Sequence, residues 1–444
     1  MNPYLGYEIA LAAVLVYGLV VYGLWRAGYI GPERSLSLLG PALMIKTRKG
    51  RSALERWGRF VRFWTAASDV GILLAAAAMV AIFLLLVFGA IASFRLTPAT
   101  APSPTMALGL PGINPVIPIG YGIVALVVGV VLHELSHGIV ARSQKIGVKS
   151  LGILWCVIPV GAFVEQDDTE MLAATRRKRD RVAAAGVLAN FILAVIFFVA
   201  LAALVSTSVH PVASGVGVVG VVAGSPAAAH AIAPGDVLES VDGTATTSAA
   251  LFESVMSQTT ANETVTVVWR AVNGTTMSAA IQLADSTTTP GRGFLGVAYG
   301  PLSPAGIKQT LVSPLSSSLG PLDGGVYWLI LPFAGLEPLA GPNQEFFHLS
   351  GPVAALGTAN FWIVANLLYW IAWMNLLLGM SNALPLVPLD GGLLFRDFAA
   401  SIAARFRKGW DAARLDELGA RAVAISSTAV LVLLVWQFVV PRLL

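Results

Sequence analysis

The stretch His133-Glu134-Leu135-Ser136-His137 lies within a strongly apolar segment that runs from Tyr121 to Val140. Two histidines four residues apart lie on one face of a helix, where both can bind a single zinc ion. The glutamate between them is placed to take a proton from a water molecule at that metal. Because ionisable groups are costly in lipid and usually mark a function there, the stretch predicts a hydrolytic zinc site at membrane depth.

The composition is typical of a protein with several membrane-spanning helices. Of the 444 residues, 56% are hydrophobic and 12% are charged, and the mean hydropathy is +0.76. Soluble proteins carry about 25% charged residues, so we predict a polytopic α-helical membrane protein. The single cysteine, Cys156, excludes an internal disulfide and a cysteine-based zinc site. The basic residues lack an RNA- or DNA-reading motif, so nucleic acid is not an expected partner.

Apolar runs of about 20 residues, the length that a helix needs to cross a bilayer, predict the spans. We expect about six transmembrane helices, at residues 4–25, 69–93, 119–142, 182–206, 355–380 and 421–441. The lipid bilayer is therefore an expected partner of the whole chain.

The distribution of Lys and Arg predicts the orientation of these spans. Basic residues concentrate at 26–62, 176–181 and 405–414, whereas segments 95–118 and 207–354 are poor in them. With six spans, all three basic segments fall on one side, which the positive-inside rule identifies as the cytosol. The histidine motif then lies toward the cytosolic side of the membrane.

Residues 147–164 are apolar but too short and too interrupted to form another span. Gly152, Pro159 and Gly161 break the run, and its content of β-branched and aromatic residues favours strands. Charged residues on both flanks place its two ends on the cytosolic side. We therefore predict a re-entrant β-hairpin, sheltered by helices, with an edge that can pair with an extended peptide.

Residues 211–300 form the one predicted domain outside the membrane. Valine-rich alternating runs separated by Gly, Asn and Asp turns predict β-structure. The stretch from Ser225 to Gly243 resembles the PDZ signature of bacterial and archaeal proteases, with a small-residue helix, a Gly-Asp turn, a strand and an Asp-Gly turn. We predict a small extracytosolic α+β PDZ-like domain, which implies a peptide or a protein C-terminus as its partner.

A catalytic zinc ion generally has three protein ligands, so a third residue must join the two histidines. The other three histidines of the chain fall on the opposite side in the predicted topology, which leaves a carboxylate. The sequence Pro-Leu-Asp-Gly-Gly occurs twice and offers Asp323 and Asp390. Only Asp390 shares the membrane side of the histidine motif, and two prolines before it allow the chain to turn back toward the core. We predict Asp390.

These motifs together resemble the site-2 proteases, a family of zinc intramembrane metalloproteases. That family joins a His-Glu-x-x-His helix to a later Asn-x-x-Pro…Asp-Gly motif, whose aspartate is the third ligand. The matching residues are His133, Glu134, His137, Asn382, Pro385, Asp390 and Gly391. Gly186-Val-Leu-Ala-Asn190 resembles the family's Gly-x-x-x-Asn element, and Ser350-Gly-Pro-Val353 resembles its Gly-Pro segment. The resemblance is close over residues 119–206 and 350–395.

The resemblance implies regulated intramembrane proteolysis, which is hydrolysis of peptide bonds in or near the transmembrane segments of single-span membrane proteins. His133, His137 and Asp390 would hold Zn²⁺, and Glu134 would act as catalytic base and acid. The implied location is a prokaryotic plasma membrane, archaeal or bacterial, as a multi-pass protein with its active site toward the cytosol.

Three asparagines are candidates for substrate binding. Asn382 could donate to the substrate backbone or to the developing oxyanion. Asn190 and Asn375 could assist it, although hydrogen bonds between helices are an equally good explanation for both.

The sequence predicts five regions. The first is a two-span region with a basic cytosolic loop at 1–118, and the second is the catalytic core at 119–210 and 350–400. The others are the PDZ-like domain at 211–300, a Pro-, Gly- and Ser-rich extracytosolic or interfacial segment at 301–349, and a basic cytosolic segment with the last span at 401–444.

A catalytically silent membrane scaffold that presents the PDZ domain is the alternative function. Such a scaffold would be expected to have lost Glu134 or a ligand, and all four residues are present.

Overall fold

A computed structural model describes residues 5–31, 34–316, 320–332 and 341–443. The helices are α1 (Leu5–Arg26), α2 (Arg51–Gly58), α3 (Val61–Ala92), α4 (Ile119–Ser143), α5 (Asp168–Ala173), α6 (Arg176–Ser208), α7 (Pro226–Ala229), α8 (Ala249–Ser257), α9 (Pro304–Val312), α10 (Pro321–Ile330), α11 (Thr358–Asn382), α12 (Asp390–Phe406) and α13 (Ala412–Leu443). The strands are β1 (Leu36–Leu39), β2 (Ala42–Thr47), β3 (Val148–Cys156), β4 (Ile158–Gln166), β5 (Val209–Pro211), β6 (Val216–Val221), β7 (Val237–Val241), β8 (Thr244–Ala245), β9 (Thr264–Arg270), β10 (Thr276–Gln282), β11 (Ala284–Asp285), β12 (Gly293–Phe294), β13 (Val297–Tyr299) and β14 (Phe347–Leu349).

Five of the described helices are long and apolar enough to cross a membrane, as expected for a polytopic helical membrane protein. They are Val61–Arg95, Ile119–Ser143, Arg176–Ser208, Thr358–Asn382 and Ala412–Leu443, and they correspond to the second to sixth predicted spans. The first predicted span corresponds to α1, of which the apolar part Leu11–Arg26 is shorter. Its residue 4 lies outside the described residues, and the sixth crossing stays a prediction.

Three of these helices begin several residues before the predicted spans. Helix α3 begins at Val61, α6 at Arg176 and α13 at Ala412, where the expected starts were residues 69, 182 and 421. Hydropathy marks only the part of a helix that lies in lipid. The backbone hydrogen-bond ladder continues through neighbouring polar residues, among which Arg, Lys and Ala are good helix formers.

Residues 1–195 and 371–444 form one of two compact units, and this unit contains a four-stranded antiparallel sheet in the order β1-β2-β3-β4. Strands β3 and β4 form a β-hairpin where one was predicted at 147–164. Its insertion into the membrane stays a prediction. The other two strands were not predicted, because residues 26–62 were interpreted as a basic loop. Leu43 of β2 lies opposite Trp155 of β3, so this loop extends the sheet.

The side-chain hydroxyl of Tyr17 connects helix α1 to this sheet. The Tyr17 hydroxyl lies 2.7 Å from the Pro41 carbonyl oxygen and 2.9 Å from that of Trp155. It also accepts a hydrogen bond of 3.1 Å from the Leu43 backbone N–H. The first helix therefore holds the turn between β1 and β2 against the end of β3.

The helix packing in this unit depends on small side chains. Ala75 of α3 and Ala184 of α6 are completely buried in a cluster that also contains Ala383 and Leu394. A Cβ atom at Gly71 of α3 would lie 3.3 Å from the Ala184 carbonyl oxygen. Small residues let helix backbones approach closely. In a membrane protein, close van der Waals packing stabilises helix association, because the hydrophobic effect does not drive helices together in lipid.

Residues 196–370 form the second compact unit. Its main sheet has the order β10-β9-β7-β6-β13, with β8 paired to β7. Val218, Leu238 and Ile281 are completely or almost completely buried in its core. Over the stretch Ser225–Gly243, helix α7 is followed by a turn, by β7 and by a second turn. The segment predicted at 301–349 contains α9, α10 and β14, and its residues 317–319 and 333–340 lie outside the described part of the chain.

We predict that Glu165 makes the sheet of the first unit sensitive to acid. Burial raises the pKa of the Glu165 carboxyl, but the Ser150 hydroxyl and the Lys46 ammonium outweigh burial and hold the pKa below its ordinary value. A lowered pKa stabilises the folded state above the unfolded-state pKa, and this contribution is lost as pH falls through the folded-state pKa. Glu165→Gln should lower the thermal unfolding midpoint at pH 7 and flatten its decline toward pH 3.

The matched control is Asp168→Asn, because the Asp168 side chain is 88% exposed. It should leave the pH profile of the unfolding midpoint unchanged. Identical profiles for Glu165→Gln and the wild type would show that the carboxyl has no such role.

Candidate functional site

Three side chains from two distant parts of the sequence converge in the first unit. His133 and His137 lie on α4, and Asp390 is the first residue of α12. Asp390 Oδ2 lies 3.1 Å from His133 Nε2 and 3.3 Å from His137 Nε2, and the two ring nitrogens are 3.1 Å apart. Both histidines are buried, at 7% and 6% exposed. Among the described residues, these three form the group that could hold a metal ion.

The geometry of this group fits zinc. Bonds of about 2.0–2.1 Å in a tetrahedral site place neighbouring ligand atoms about 3.3 Å apart, close to the distances observed here. Asp390 Oδ2 is buried and has no hydrogen-bond donor in the described structure. Leaving a buried carboxylate oxygen without a partner is costly, and a cation at the centre of the group would remove that cost.

Hydrogen bonds behind the histidines leave their Nε2 atoms free to bind the metal. His137 Nδ1 lies 2.7 Å from the Val182 carbonyl oxygen, to which it can only donate. His133 Nδ1 lies 3.1 Å from the Asn190 side-chain nitrogen, while the Asn190 oxygen is buried without a partner. With the two amide atoms of Asn190 exchanged, its oxygen accepts a hydrogen bond from His133 Nδ1–H, which leaves Nε2 of His133 unprotonated. Such bonds orient the ligand rings and fix their tautomer.

Glycines provide the space in which the three ligands meet. A Cβ atom at Gly186 of α6 would overlap His133 and would lie 2.6 Å from His137 Nε2. A Cβ atom at Gly391 would overlap the carbonyl oxygens of Ala383 and Leu384. The absence of a side chain at Gly391 therefore permits close backbone approach beside Asp390, and Gly186 has the same role at the histidines.

Glu134 lies beside the metal-binding group and not in it. Its Oε2 accepts a hydrogen bond of 3.1 Å from the backbone N–H of Val164 in β4. The carboxylate is thus anchored through one oxygen to the hairpin, which leaves the other oxygen available for proton transfer. This contact also places β4 directly beside α4.

The loop before Asp390 is held by the last helix. The Ser426 hydroxyl of α13 donates to the Pro385 carbonyl oxygen at 2.8 Å. The Val387 N–H donates to the Ser427 hydroxyl at 3.1 Å. Proline-containing segments have few backbone donors of their own, so these side-chain contacts position the turn that leads into α12.

A buried ion pair holds α12 against α6. Arg179 binds Asp397 through two nitrogens, at 2.9 Å and 3.1 Å, and the side chains are 10% and 1% exposed. Asp397 is two helical turns after Asp390. Two parallel hydrogen bonds of this kind are characteristic of Arg with a carboxylate. The pair therefore positions Asp390 relative to α6, which carries Gly186 and Asn190.

The neighbouring arginines of α6 also have acidic partners. Arg176 pairs with Asp416 of α13 at 2.8 Å, and Arg181 pairs with Asp69 of α3 at 2.8 Å. The basic run 176–181 was interpreted from sequence as a topology signal alone. In the structure it joins α6 to three other helices, a role that a list of charges does not reveal.

The remaining predicted residues have separate environments. Asn375 is completely buried and donates to the Ile371 carbonyl oxygen, and Asn382 is partly buried and donates to that of Leu378. Their substrate-binding roles stay predictions. Asp323, the rejected third ligand, is exposed on α10 in the other compact unit and is not part of the metal-binding group.

We expect Gly186→Ala to empty the metal site. The added methyl group would overlap both histidine rings. Overpacking of this kind typically lowers the free energy of unfolding by about 1–3 kcal/mol, and relief of the overlap would move the rings away from the metal position. The purified protein should contain far less zinc than the wild type by elemental analysis. Gly120→Ala is the matched control, because a Cβ atom at Gly120 of α4 meets nothing within 4 Å. Equal zinc in both variants would contradict the proposed crowding.

We expect Asp397→Asn to destabilise the protein by about 3–5 kcal/mol, because it leaves the buried Arg179 guanidinium without its counter-charge. The measurement is the free energy of unfolding in detergent. Asp416→Asn is the control, because the Asp416 side chain is 58% exposed and breaking its pair should cost at most about 1 kcal/mol. Similar losses in the two variants would show that the Arg179 pair has no special structural role.

Comparisons with known proteins agree with this site. The model of peptidase family M50 matches residues 121–413, which include all three candidate ligands. An uncharacterized protein of Methanocaldococcus jannaschii is 35% identical over 151 residues, covering 34% of this chain and 40% of that protein. A Clostridium perfringens protein named "Putative zinc metalloprotease CPE1693" is 29% identical over 301 residues, covering 60% and 83%. Metalloprotease MmpA of Caulobacter vibrioides is 30% identical over 164 residues, covering 26% and 40%.

The matches span less than half of the archaeal relative and of the Caulobacter relative, and most of the clostridial one. The family match covers more than half of the chain and begins within the first residues of α4. The chain belongs to peptidase family M50, the site-2 protease family.

Proposed function

We propose that this protein is a zinc metalloprotease that cleaves single-span membrane proteins within or near their transmembrane segments. The observation that carries the proposal is the convergence of His133, His137 and Asp390 beside Glu134. Two of these ligands lie on a helix that is long and apolar enough to cross a membrane. Ionisable residues within such a helix are costly in lipid and usually mark a functional site.

Zinc at this site would supply a Lewis acid that polarises a carbonyl group and lowers the pKa of water. Glu134 would act as the base and then as the acid. Its Oε2 stays bound to Val164 N–H, while its second oxygen accepts the proton of the attacking water and delivers it to the leaving amine. Asn190 would act on His133 by orienting its ring, and we assign Asn382 to the substrate backbone or the oxyanion.

We further propose that the β3–β4 hairpin enters the membrane and holds the substrate as an extended strand. The turn end of the hairpin exposes apolar side chains: Ile153 is 48%, Trp155 39% and Ile158 63% exposed. Strand β4 is the end strand of its sheet among the described strands and binds Glu134 through Val164. A transmembrane helix hides its carbonyl groups in its own hydrogen bonds, so a substrate must unwind and could then pair with this edge.

The domain at 211–300 is proposed to bind a peptide or a protein C-terminus as a PDZ-like domain. Among the described strands, β13 is the end strand of its sheet. Tyr299 of that strand packs against Phe252 of α8 with ring centroids 5.0 Å apart. Burial, assisted by Glu253, raises the pKa of Tyr299 to about 12, so the hydroxyl stays a donor to Glu253 at neutral pH. An added strand would lie along β13 beside α8.

For orientation, we propose that the active site faces the cytosol of a prokaryotic plasma membrane and that the PDZ-like domain lies outside. The support is the concentration of Lys and Arg in segments 26–62, 176–181 and 405–414. The pairing of several α6 arginines with aspartates does not weaken this support, since the positive-inside rule counts Lys and Arg and is not a net-charge rule.

We expect Glu134→Gln to abolish cleavage while zinc stays bound. The amide oxygen of Gln can still accept from Val164 N–H, so the hairpin contact is preserved, but it cannot transfer the proton. Removal of a general base lowers rates by about 10²–10⁴-fold or more. Cleavage of a single-span model substrate and zinc by elemental analysis are measured on the same preparation. Activity near the wild-type level would overturn the mechanism.

We expect Asp390→Ala to lose both zinc and activity and Asp323→Ala to lose neither. The two residues share the sequence Pro-Leu-Asp-Gly-Gly, so the second variant controls for the local sequence. Loss of zinc from the Asp323 variant alone would mean that the ligand set is wrong.

A further inference from the structure

A wide basic cleft lies on the four-stranded sheet of the first unit, away from the histidines. Its volume is ≈ 1190 Å³, and seven basic and three acidic side chains line it. The floor is formed by β1, β2 and β3, and the rim by the segment that connects β2 to α2. This excess of positive charge favours an anion.

The acidic residues of the cleft already have partners. Glu165 binds Lys46 at 3.2 Å, Asp167 accepts hydrogen bonds from the first N–H groups of α5, and Glu170 accepts one from Gly147 N–H. By contrast, four cations of the cleft form no ion pair with any described residue: Arg34, Arg48, Lys49 and Arg51. They remain available to a ligand.

A buried hydroxyl in the same cleft also lacks a partner. Ser37 of β1 is 7% exposed, and its Oγ forms no hydrogen bond within the described structure. A buried hydroxyl without a partner is unusual, because burial without a hydrogen bond is costly. An oxygen-rich anion in the cleft would accept from Ser37 while the cations neutralise it, and a phosphate group fits both requirements.

The position of the cleft along the strands points to a lipid as the source of the phosphate. In β2, the basic residue Lys46 lies four residues after Ala42, which pairs with the exposed Leu39. At about 3.3 Å per residue this is roughly 13 Å, close to half of a hydrocarbon core, about 15 Å. If the apolar end of the sheet lies in the core, the cleft lies at the head groups. This step rests on the hairpin entry proposed above, whereas the charge and Ser37 arguments do not.

The helix beside the cleft also has the character of an interfacial segment. Arg51 begins α2, and after α2 the chain exposes Phe60 at 55% and Phe63 at 62%; Trp57 within α2 is 57% exposed. Aromatic side chains next to basic ones are typical of the membrane–water interface. We propose that the cleft binds the phosphate of an anionic phospholipid head group.

The test compares lipid retention by the full-length protein and two charge-matched variants. Arg48→Gln with Lys49→Gln removes two unpaired cations of the cleft, and Arg405→Gln with Lys408→Gln removes two exposed cations near the end of α12. Each purified protein is titrated with phosphatidylglycerol or phosphatidylcholine in detergent, and bound lipid is counted by native mass spectrometry. Each cation near a head group contributes about fivefold to binding, so the cleft variant should bind phosphatidylglycerol at least tenfold more weakly. The α12 variant should bind it like the wild type.

Ser37→Ala provides a test that changes no charge. Loss of one hydrogen bond should weaken phosphatidylglycerol binding by about threefold to tenfold. Zinc content should stay unchanged in all variants, which serves as a check on folding.

Inorganic phosphate, added by calorimetric titration, should bind weakly and at the same cleft. Equal phosphatidylglycerol binding by the wild type and both cleft variants would overturn the proposal. Binding of inorganic phosphate without any preference for phosphatidylglycerol over phosphatidylcholine would overturn the lipid source.

Discussion

The close approach of three metal-binding atoms is the constraint on which the rest of the first unit depends. Two imidazole nitrogens and a carboxylate oxygen lie 3.1–3.3 Å apart. A cation at the centre of the group would neutralise the carboxylate, and the surrounding helices must leave space for the two rings. Gly186 leaves that space on α6, and the Gly391 backbone lets α12 begin against residues 383 and 384.

The helices around the site are therefore held by polar contacts as much as by apolar packing. Arg179 and Asp397 join α6 to α12, and Arg181 and Asp69 join α6 to α3. In lipid the hydrophobic effect does not drive helices together, so such pairs and close small-residue contacts determine the arrangement. A buried pair is costly to break, which makes the relative position of α6 and α12 well defined.

The convergence of the three candidate metal-binding residues could be predicted from the sequence, because their spacing has a direct geometric meaning. His133 and His137 share a helix face, and sidedness distinguished Asp390 from its duplicate Asp323. The residues that position them could not be predicted in this way. The Asn190 contact to His133, the Val164 contact to Glu134 and the Arg179 pair join residues 30 to 218 positions apart. Neither periodicity nor composition specifies which distant groups meet.

The strand pairings of the four-stranded sheet also differ in how far the sequence predicts them. The hairpin at 147–164 was predictable because its two strands are adjacent in sequence, whereas the pairing of β2 with β3 joins segments about a hundred residues apart. The basic charge of residues 26–62 also concealed two short, mostly apolar strands on either side of Gly40-Pro41. In the described structure, charged side chains thus join helices through ion pairs and also line the cleft over the sheet.

The regions outside the family match have structural roles in the site. The match covers residues 121–413, yet Tyr17 holds the end of the sheet that contains β4, and Ser426 and Ser427 hold the loop before Asp390. Leu54 of α2 packs against Gly138, the residue after the second histidine. The two elements that must be positioned most accurately, the third ligand and the strand that binds Glu134, are therefore each supported from outside the catalytic core. A truncation to the matched residues would retain His133, Glu134, His137 and Asp390 and would remove the contacts that align them.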